Sequence, residues 1–273
     1  MAEGTRLIRL ALFGSPVAHS ISPRVHREFA RAAGLDIDYQ LIEASEDDFP
    51  AALAAFRDAG GAGCNITLPL KSVALEQAAT ATKRAKDAGV ANTLAWQDAG
   101  WHADTTDGVG LVRDLRDNLE ARLSGADICI VGAGGAAAGV LGPLLEQGPA
   151  RLVLANRTLA RAEKLAKGHD KLRAMALGDL KRAGRFDLVI QATSLGLKGE
   201  APPLPEGLLR DDGLVYDMIY GQGSEPVRAL CERRGWAFSD GTGMLVEQAA
   251  ESFQLWTGGR PDTAPVIESL RAG

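Results

Sequence analysis

The residues best equipped for chemistry fall in two glycine- and arginine-bearing turns and four polar clusters. Gly132-Ala133-Gly134-Gly135-Ala136-Ala137 follows the apolar run Asp127-Ile128-Cys129-Ile130-Val131. In such a turn the first glycine permits a tight bend, and Gly134 lets the backbone approach a pyrophosphate lying on the positive N-terminus of the next helix. Ala137 takes the close-packing position. The next apolar run, from Arg151, ends at Asn156-Arg157-Thr158. An NAD site usually carries an acidic residue there for the ribose hydroxyls. A guanidinium and a hydroxyl suit a 2′-phosphate instead, and one charge-assisted hydrogen bond of roughly 1.5–3 kcal/mol gives about a 10- to 150-fold preference for NADP. The alternative makes Arg157 a solvated residue at a helix start.

The four polar clusters sit at strand ends and turns. In Gly14 to Pro23, Ser20 and Ser22 offer hydroxyls beside a helix N-terminus, which suits a carboxylate; equally, Ser22 before Pro23 can be an N-cap. In Cys64-Asn65-Ile66-Thr67-Leu68-Pro69-Leu70-Lys71, a strand stops at a proline and Lys71 either points into a cleft or lies on the surface. Ala91-Asn92-Thr93 begins a strand, and Asp104-Thr105-Thr106-Asp107-Gly108 precedes a helix. Asp107 can be an N-cap there, and Thr93 and Thr105 local backbone partners.

The elements that must position these residues follow from periodicity. The N-terminal part alternates strand and helix: Ile8 to Phe13 extended, a helix from Ser22 to about Ala33, and Ile37 to Glu43 extended. Phe49 to Ala59 then reads as a helix stopped by Gly60-Gly61, with strands at Gly63 to Thr67 and Ala91 to Trp96. A helix is expected from about Gly108 to Leu123. The glycine turn begins a Rossmann-type unit that continues through buried strands at Phe186 to Thr193 and Leu214 to Tyr220, as in a parallel sheet covered on both faces. Met244 to Trp256 carries Leu245, Ala249, Phe253 and Trp256 on one helical stripe. The fold class is therefore α/β in two domains: residues 1–107 with 242–273, and a doubly wound dinucleotide domain over 108–241.

Length and composition narrow the function. At 273 residues the chain is long enough for two domains. Thirty basic and 35 acidic residues are interspersed for a net charge of −5, leaving no footprint for nucleic acid or an anionic membrane. No apolar run approaches the ~18 residues of a membrane span. Cys64, Cys129 and Cys231 are far apart, and with no cleavable leader this favours a reducing cytoplasm. Neither these cysteines nor His19, His26, His102 and His169 form a metal pattern, so no metal is expected.

In this order, the clusters resemble the shikimate dehydrogenase family, including its quinate-using relatives, over nearly the whole chain. The family's serine loop resembles Ser20-Ile21-Ser22-Pro23. Its asparagine-threonine-lysine element matches Asn65, Thr67 and Lys71, its Asn-Thr strand start matches Asn92-Thr93, and its catalytic aspartate falls on Asp107. Tyr216-Asp217-Met218-Ile219-Tyr220 and the run Gly241-Thr242-Gly243-Met244-Leu245-Val246-Glu247-Gln248-Ala249-Ala250 match its C-terminal signatures. The resemblance implies reversible NADPH-dependent reduction of 3-dehydroshikimate to shikimate by a monomer or homodimer, with a C-terminal helix returning to the substrate domain. Lys71 and Asp107 would be catalytic. Ser20, Ser22 and Tyr220 would hold the substrate carboxylate, with Asn65, Thr67, Asn92 and Gln248 reading ring hydroxyls. Cofactor binding would fall on Gly132 to Ala137, Asn156, Arg157, Thr158, Thr193, Met218, Gly241 and Met244, and Gly241 and Gly243 could permit a hinge.

Three positions depart from the family pattern: Thr105 and Gln191 stand where asparagines are common, and Gly221-Gln222-Gly223 where a proline follows the tyrosine. They suggest a divergent branch and leave open quinate or another hydroxylated cyclohexane-carboxylate as substrate. A protein that binds NADP and a shikimate-like ligand without turnover is a third reading, and retention of both Lys71 and Asp107 argues against it.

Overall fold

The computed structural model describes residues 7–272. The chain forms two compact units, one running to Gly110 and resuming at Val246, the other spanning Leu111–Leu245. Both divisions fall inside helices, α5 and α9 below.

The first unit contains β1 (Ile8–Gly14), α1 (Ser22–Ala33), β2 (Ile37–Glu43), α2 (Phe49–Asp58), β3 (Gly61–Ile66), α3 (Lys71–Glu76), β4 (Thr80–Ala81), α4 (Lys83–Ala88), β5 (Thr93–Gln97), β6 (Gly100–Asp104) and the start of α5 (Asp107–Arg113). Its six-stranded sheet runs β2-β1-β3-β5-β6-β4. β1 lies parallel to both β2 and β3, while β5 is antiparallel to β3 and β6. One core packs Phe13, Phe49, Phe56, Ile66 and Leu94 together, and another joins Val25 and Phe29 of α1 to Val246, Ala249 and Phe253 near the C-terminus.

The second unit contains β7 (Asp127–Val131), α6 (Gly135–Glu146), β8 (Arg151–Asn156), α7 (Leu159–Ala166), β9 (Leu172–Ala176), β10 (Phe186–Gln191), β11 (Leu209–Asp217), α8 (Glu225–Arg234) and β12 (Ala237–Ser239). The sheet runs β12-β11-β10-β7-β8-β9 with every pair parallel. Successive side chains alternate between faces: Ile128, Ile130, Leu152, Leu154, Leu188 and Ile190 enter one core, and Cys129, Val131, Val153, Ala155 and Val189 the other. Two apolar faces explain the continuous apolar runs of the sequence. Strand order reverses between β7 and β10, the switch point where ligands of such sheets bind. The chain then returns to the first unit through α9 (Thr242–Thr257) and ends in α10 (Ala264–Ala272).

Four strands have no counterpart in the periodicity. β4, β9 and β12 are sheet edges, where short or mixed sequences suffice, and β6 interrupts its apolar residues with Gly100 and His102. The helix expected to reach Leu123 instead passes into a π-helical turn over Asp114–Asn118. Asn118 Nδ2 bonds Asp114 Oδ1 at 3.0 Å, and Glu120 adopts a φ of 52°, which stops the helix.

Candidate active site

In the first unit the catalytic candidates lie at element starts. Lys71 is the first residue of α3 and Asp107 the first of α5, and their side chains form an ion pair with Nζ 2.5 Å from Oδ2. Both are mostly shielded, with side-chain exposures of 15% and 9%. Asp107 lies within α5 as its first residue rather than before it as an N-cap, and its second oxygen accepts a 2.9 Å bond from Asn92 Nδ2. Nor does Lys71 lie on the surface.

Asn92 is the centre of this cluster. Its Nδ2 also reaches Thr106 Oγ1 at 2.9 Å and Gln248 Oε1 at 3.2 Å, while its Oδ1 accepts from Thr106 N at 2.8 Å and Thr93 Oγ1 at 3.1 Å. Asn65 is equally engaged: Oδ1 meets His26 Nε2 and Tyr39 Oη, and Nδ2 reaches Ser252 Oγ and Thr93 Oγ1. Both asparagines are buried and their amides are used within the unit. Thr93 likewise bonds side chains rather than local backbone. The Thr105-Thr106 loop is anchored from below by Asp104, which accepts from Arg84 Nε at 2.6 Å, from Thr82 Oγ1 at 2.7 Å and from Thr105 N at 2.7 Å. Burial pushes the Asp104 carboxyl up, but the Arg84 hydrogen bonds and charge, with the Thr82 and Thr105 donors, outweigh it and hold the group below its ordinary value.

Ser20 and Ser22 meet at the start of α1, with Oγ atoms 3.1 Å apart and Ser22 N donating to Ser20 Oγ at 3.2 Å. Ile21, not Ser22, is the N-cap, so the Ser22 hydroxyl is not spent on capping. Thr67 is half-buried beyond β3, and its methyl group occupies the space a Cβ on Gly14 would need.

In the second unit the glycine turn fits a dinucleotide. Gly132 has a φ of 116°, and a Cβ there would meet the Ala192 carbonyl at 2.8 Å, so the turns after β7 and β10 interlock through glycine. Around Gly134 and Gly135 a Cβ would meet only open space at the N-terminus of α6, a helix of 12 residues. Free backbone N–H groups on an open concave turn are what a pyrophosphate requires. Asn156 Nδ2 bonds the Thr158 carbonyl at 2.9 Å and shapes the turn that exposes Arg157 and Thr158. Arg161, exposed in the first turn of α7, is a second cation at the same helix end; its i, i+4 spacing from Arg157 was the available signal. Met244 is buried and Met218 half-buried, while Tyr220 is half-buried beyond β11.

Two of the three departures from the family pattern have local structural roles. Gln191, fully buried at the end of β10, brackets Thr193 by accepting from its N–H at 2.6 Å and donating to its carbonyl at 3.2 Å. Gly221 takes a φ of 62°, and a Cβ on Gly223 would strike Ile219 at 2.6 Å. Thr105 is buried with its hydroxyl unpartnered. Gly241 and Gly243 are close-approach glycines: a Cβ on the first would meet the Met218 carbonyl at 2.5 Å, and one on the second would overlap the Asp114 carboxylate.

A shielded ammonium–carboxylate pair in one α/β unit and a dinucleotide turn at the switch point of a parallel sheet in the other define a two-unit, dinucleotide-dependent oxidoreductase. Family models described as "Shikimate dehydrogenase substrate binding domain", "Shikimate / quinate 5-dehydrogenase" and "Shikimate 5'-dehydrogenase C-terminal domain" match residues 12–94, 114–197 and 241–271. The chain is 49% identical over 267 residues to a shikimate dehydrogenase (NADP(+)) of Laribacter hongkongensis, covering 96% of this chain and 97% of that one. Among solved structures it is similar to an Ael1 enzyme from Pseudomonas putida, with a TM-score of 0.89 and 42% identity over 96% of this chain and 98% of the other. It is also similar to a Thermus thermophilus shikimate 5-dehydrogenase in complex with NADP(H) and shikimate, with a TM-score of 0.84 and 30% identity over 97% and 99% of the two chains. The chain belongs to the shikimate dehydrogenase family.

Proposed function

We propose that this protein catalyses the reversible, NADPH-dependent reduction of 3-dehydroshikimate to shikimate, binding the substrate in the first unit and NADP in the second. The observation that carries the reading is the 2.5 Å Lys71–Asp107 pair, with Asn92 fixing the second carboxylate oxygen. The cofactor, when bound, would supply a hydride as NADPH in the reduction and accept it as NADP+ in the oxidation. The chain must supply a proton donor for the oxygen on which negative charge develops during reduction. Lys71 Nζ is that donor, and in oxidation the same nitrogen takes the hydroxyl proton back; Asp107 orients it in both directions.

Ser20 and Ser22 hold the substrate carboxylate through neutral donors, and Tyr220 is a further substrate-binding residue in this proposal. Thr67 and Gln248 read ring hydroxyls directly. Asn65 and Asn92 serve that recognition by holding the groups around them. Gly132 to Ala137 cradle the pyrophosphate, Asn156, Arg157, Thr158 and Arg161 take the 2′-phosphate, and Thr193, Met218, Gly241 and Met244 line the nicotinamide end. Three buried thiols without a disulfide suit a reducing cytoplasm, where the protein works as a monomer or homodimer on small molecules.

Replacement of Lys71 tests the reading. Lys71→Ala is expected to lower kcat by about 10²–10⁴ with a smaller effect on substrate affinity, the range for loss of an acid–base group. A near-wild-type kcat would remove Lys71 from the chemistry.

A further inference from the structure

We propose that His26 is a positioning residue for the proton-transfer pair, the first donor in a directed chain of buried hydrogen bonds that ends on Asp107. The inference rests on the reading of Lys71 and Asp107 given above and adds a residue from α1.

His26 is completely buried. Its ring stacks on Tyr39 with centroids 4.6 Å apart and planes at 13°, and lies 5.2 Å from the Trp256 ring and 6.3 Å from that of Phe253. Burial in this aromatic box pushes its pKa down to about 3, against the Asn65 hydrogen bond that favours the charged form, so the ring is neutral and carries one N–H. Nε2 lies 3.1 Å from Asn65 Oδ1, an acceptor, whereas Nδ1 has no partner. The proton therefore sits on Nε2. Tyr39 Oη donates to the same oxygen at 2.8 Å. In this orientation Oδ1 accepts from both His26 Nε2 and Tyr39 Oη, and the two bonds together hold the Asn65 amide.

That orientation aims Asn65 Nδ2 at Ser252 Oγ, 2.9 Å away, and Thr93 Oγ1, 3.3 Å away. Thr93 Oγ1 donates to Asn92 Oδ1 at 3.1 Å, and Asn92 Nδ2 donates to Asp107 Oδ1 at 2.9 Å. Read from donor to acceptor, these contacts run from His26 through Asn65, Thr93 and Asn92 to the carboxylate that pairs with Lys71, and Thr93 Oγ1 also lies 2.7 Å from Ser252 Oγ, where either hydroxyl can donate. Head-to-tail bonds polarise one another, and in a dry interior each fixes the next. A histidine is suited to the first place because its body fills an aromatic pocket while one edge presents a single, fixed N–H.

The test compares His26→Gln, whose Nε2 can reproduce the donor, with His26→Leu, which cannot. Oxidation of shikimate with NADP is measured beside the acetylation rate of Lys71, read by peptide mass spectrometry against exposed Lys83. His26→Leu is expected to lower kcat about tenfold, leave the KM for NADP unchanged and raise Lys71 labelling about threefold, with His26→Gln close to wild type in all three. Tyr39→Phe, which keeps the stacked ring and removes the second donor, should change kcat and labelling in the same direction by less, and carries the test if His26→Leu does not fold. Equal behaviour of the Gln and Leu variants, or wild-type kcat and labelling in Leu or in Tyr39→Phe, would overturn the proposal. Failure of the wild type to oxidise shikimate would instead count against the functional reading, while the labelling comparison would still decide the role of His26.

Discussion

At the scale of single residues, the side chains that meet substrate and those that hold them in place have different kinetic signatures. Asn92 is buried with its amide engaged by Asp107, Thr106, Thr93 and Gln248. If it acts by holding Asp107, Asn92→Ala lowers kcat by about 10- to 100-fold with little change in the KM for shikimate; steady-state kinetics showing a raised KM at unchanged kcat would make it a direct reader of substrate. For the cofactor, Arg157→Ser should raise the KM for NADP about 10-fold or more and that for NAD by less than about twofold, the difference expected from one charge-assisted bond to a 2′-phosphate. Equal effects on both would take Arg157 off that phosphate. Lys71 and Asp107 stood out as polar residues at junctions of elements, but the pattern left open a surface lysine and an N-cap, and only the family resemblance joined them as a catalytic pair. Ser252, His26 and Tyr39 were not, since each sits in an apolar pattern that reads as packing, and only tertiary structure brings α1, β2 and α9 to Asn65.

Elements set these geometries through close approaches that sequence periodicity does not reveal. A Cβ on Gly63 in β3 would lie 2.2 Å from Trp256 Nε1 on α9, and that indole donates to the Leu94 carbonyl at 3.0 Å. Gly63→Ala must push Trp256 off its acceptor, and a loss of about 1–3 kcal/mol, seen as a lower denaturation midpoint, is expected. An unchanged midpoint would mean that β3 and α9 can part at no cost. At the end of β11, burial raises the Asp217 carboxyl to about 7, with the Ile219 N–H opposing and the Asp240 charge adding to the rise. Because the folded-state value exceeds the unfolded one, the protonated form favours folding: this stabilisation is complete below about pH 3.9 and is lost as pH rises to about 7. Asp217→Asn keeps the shape and removes the charge, so it should raise Tm relative to wild type more at pH 8 than at pH 5, by a difference of about 3–6 °C. An equal effect at both pH values would show that Asp217 does not titrate with folding. Most main elements were readable from apolar period and glycine stops, as with α1 and β2. The edge strands β4, β9 and β12 were not, since an edge needs little apolar sequence, and the π-turn at Asp114–Asn118 depends on a tertiary contact: Asp114 accepts from Tyr216 Oη at 2.6 Å.

For the whole molecule, the division of labour follows from topology. A fully parallel sheet with its order reversing between β7 and β10 offers one place for a dinucleotide, and a mixed sheet gathers its polar residues around Lys71 and Asp107 in the first unit. Among the described residues no helix is long and apolar enough to cross a membrane. Gln191 and the Gly221–Gly223 segment, which suggested a divergent branch, are explained by backbone support and close packing rather than by a changed catalytic group. Shikimate rather than quinate is the substrate proposed above. The most direct test is the initial rate of oxidation of shikimate and of quinate, each with NADP and with NAD, followed by reduced-nicotinamide absorbance. The predicted result is a kcat/KM highest for shikimate with NADP, at least about tenfold above NAD. Faster turnover of quinate, or no turnover of either acid, would contradict it.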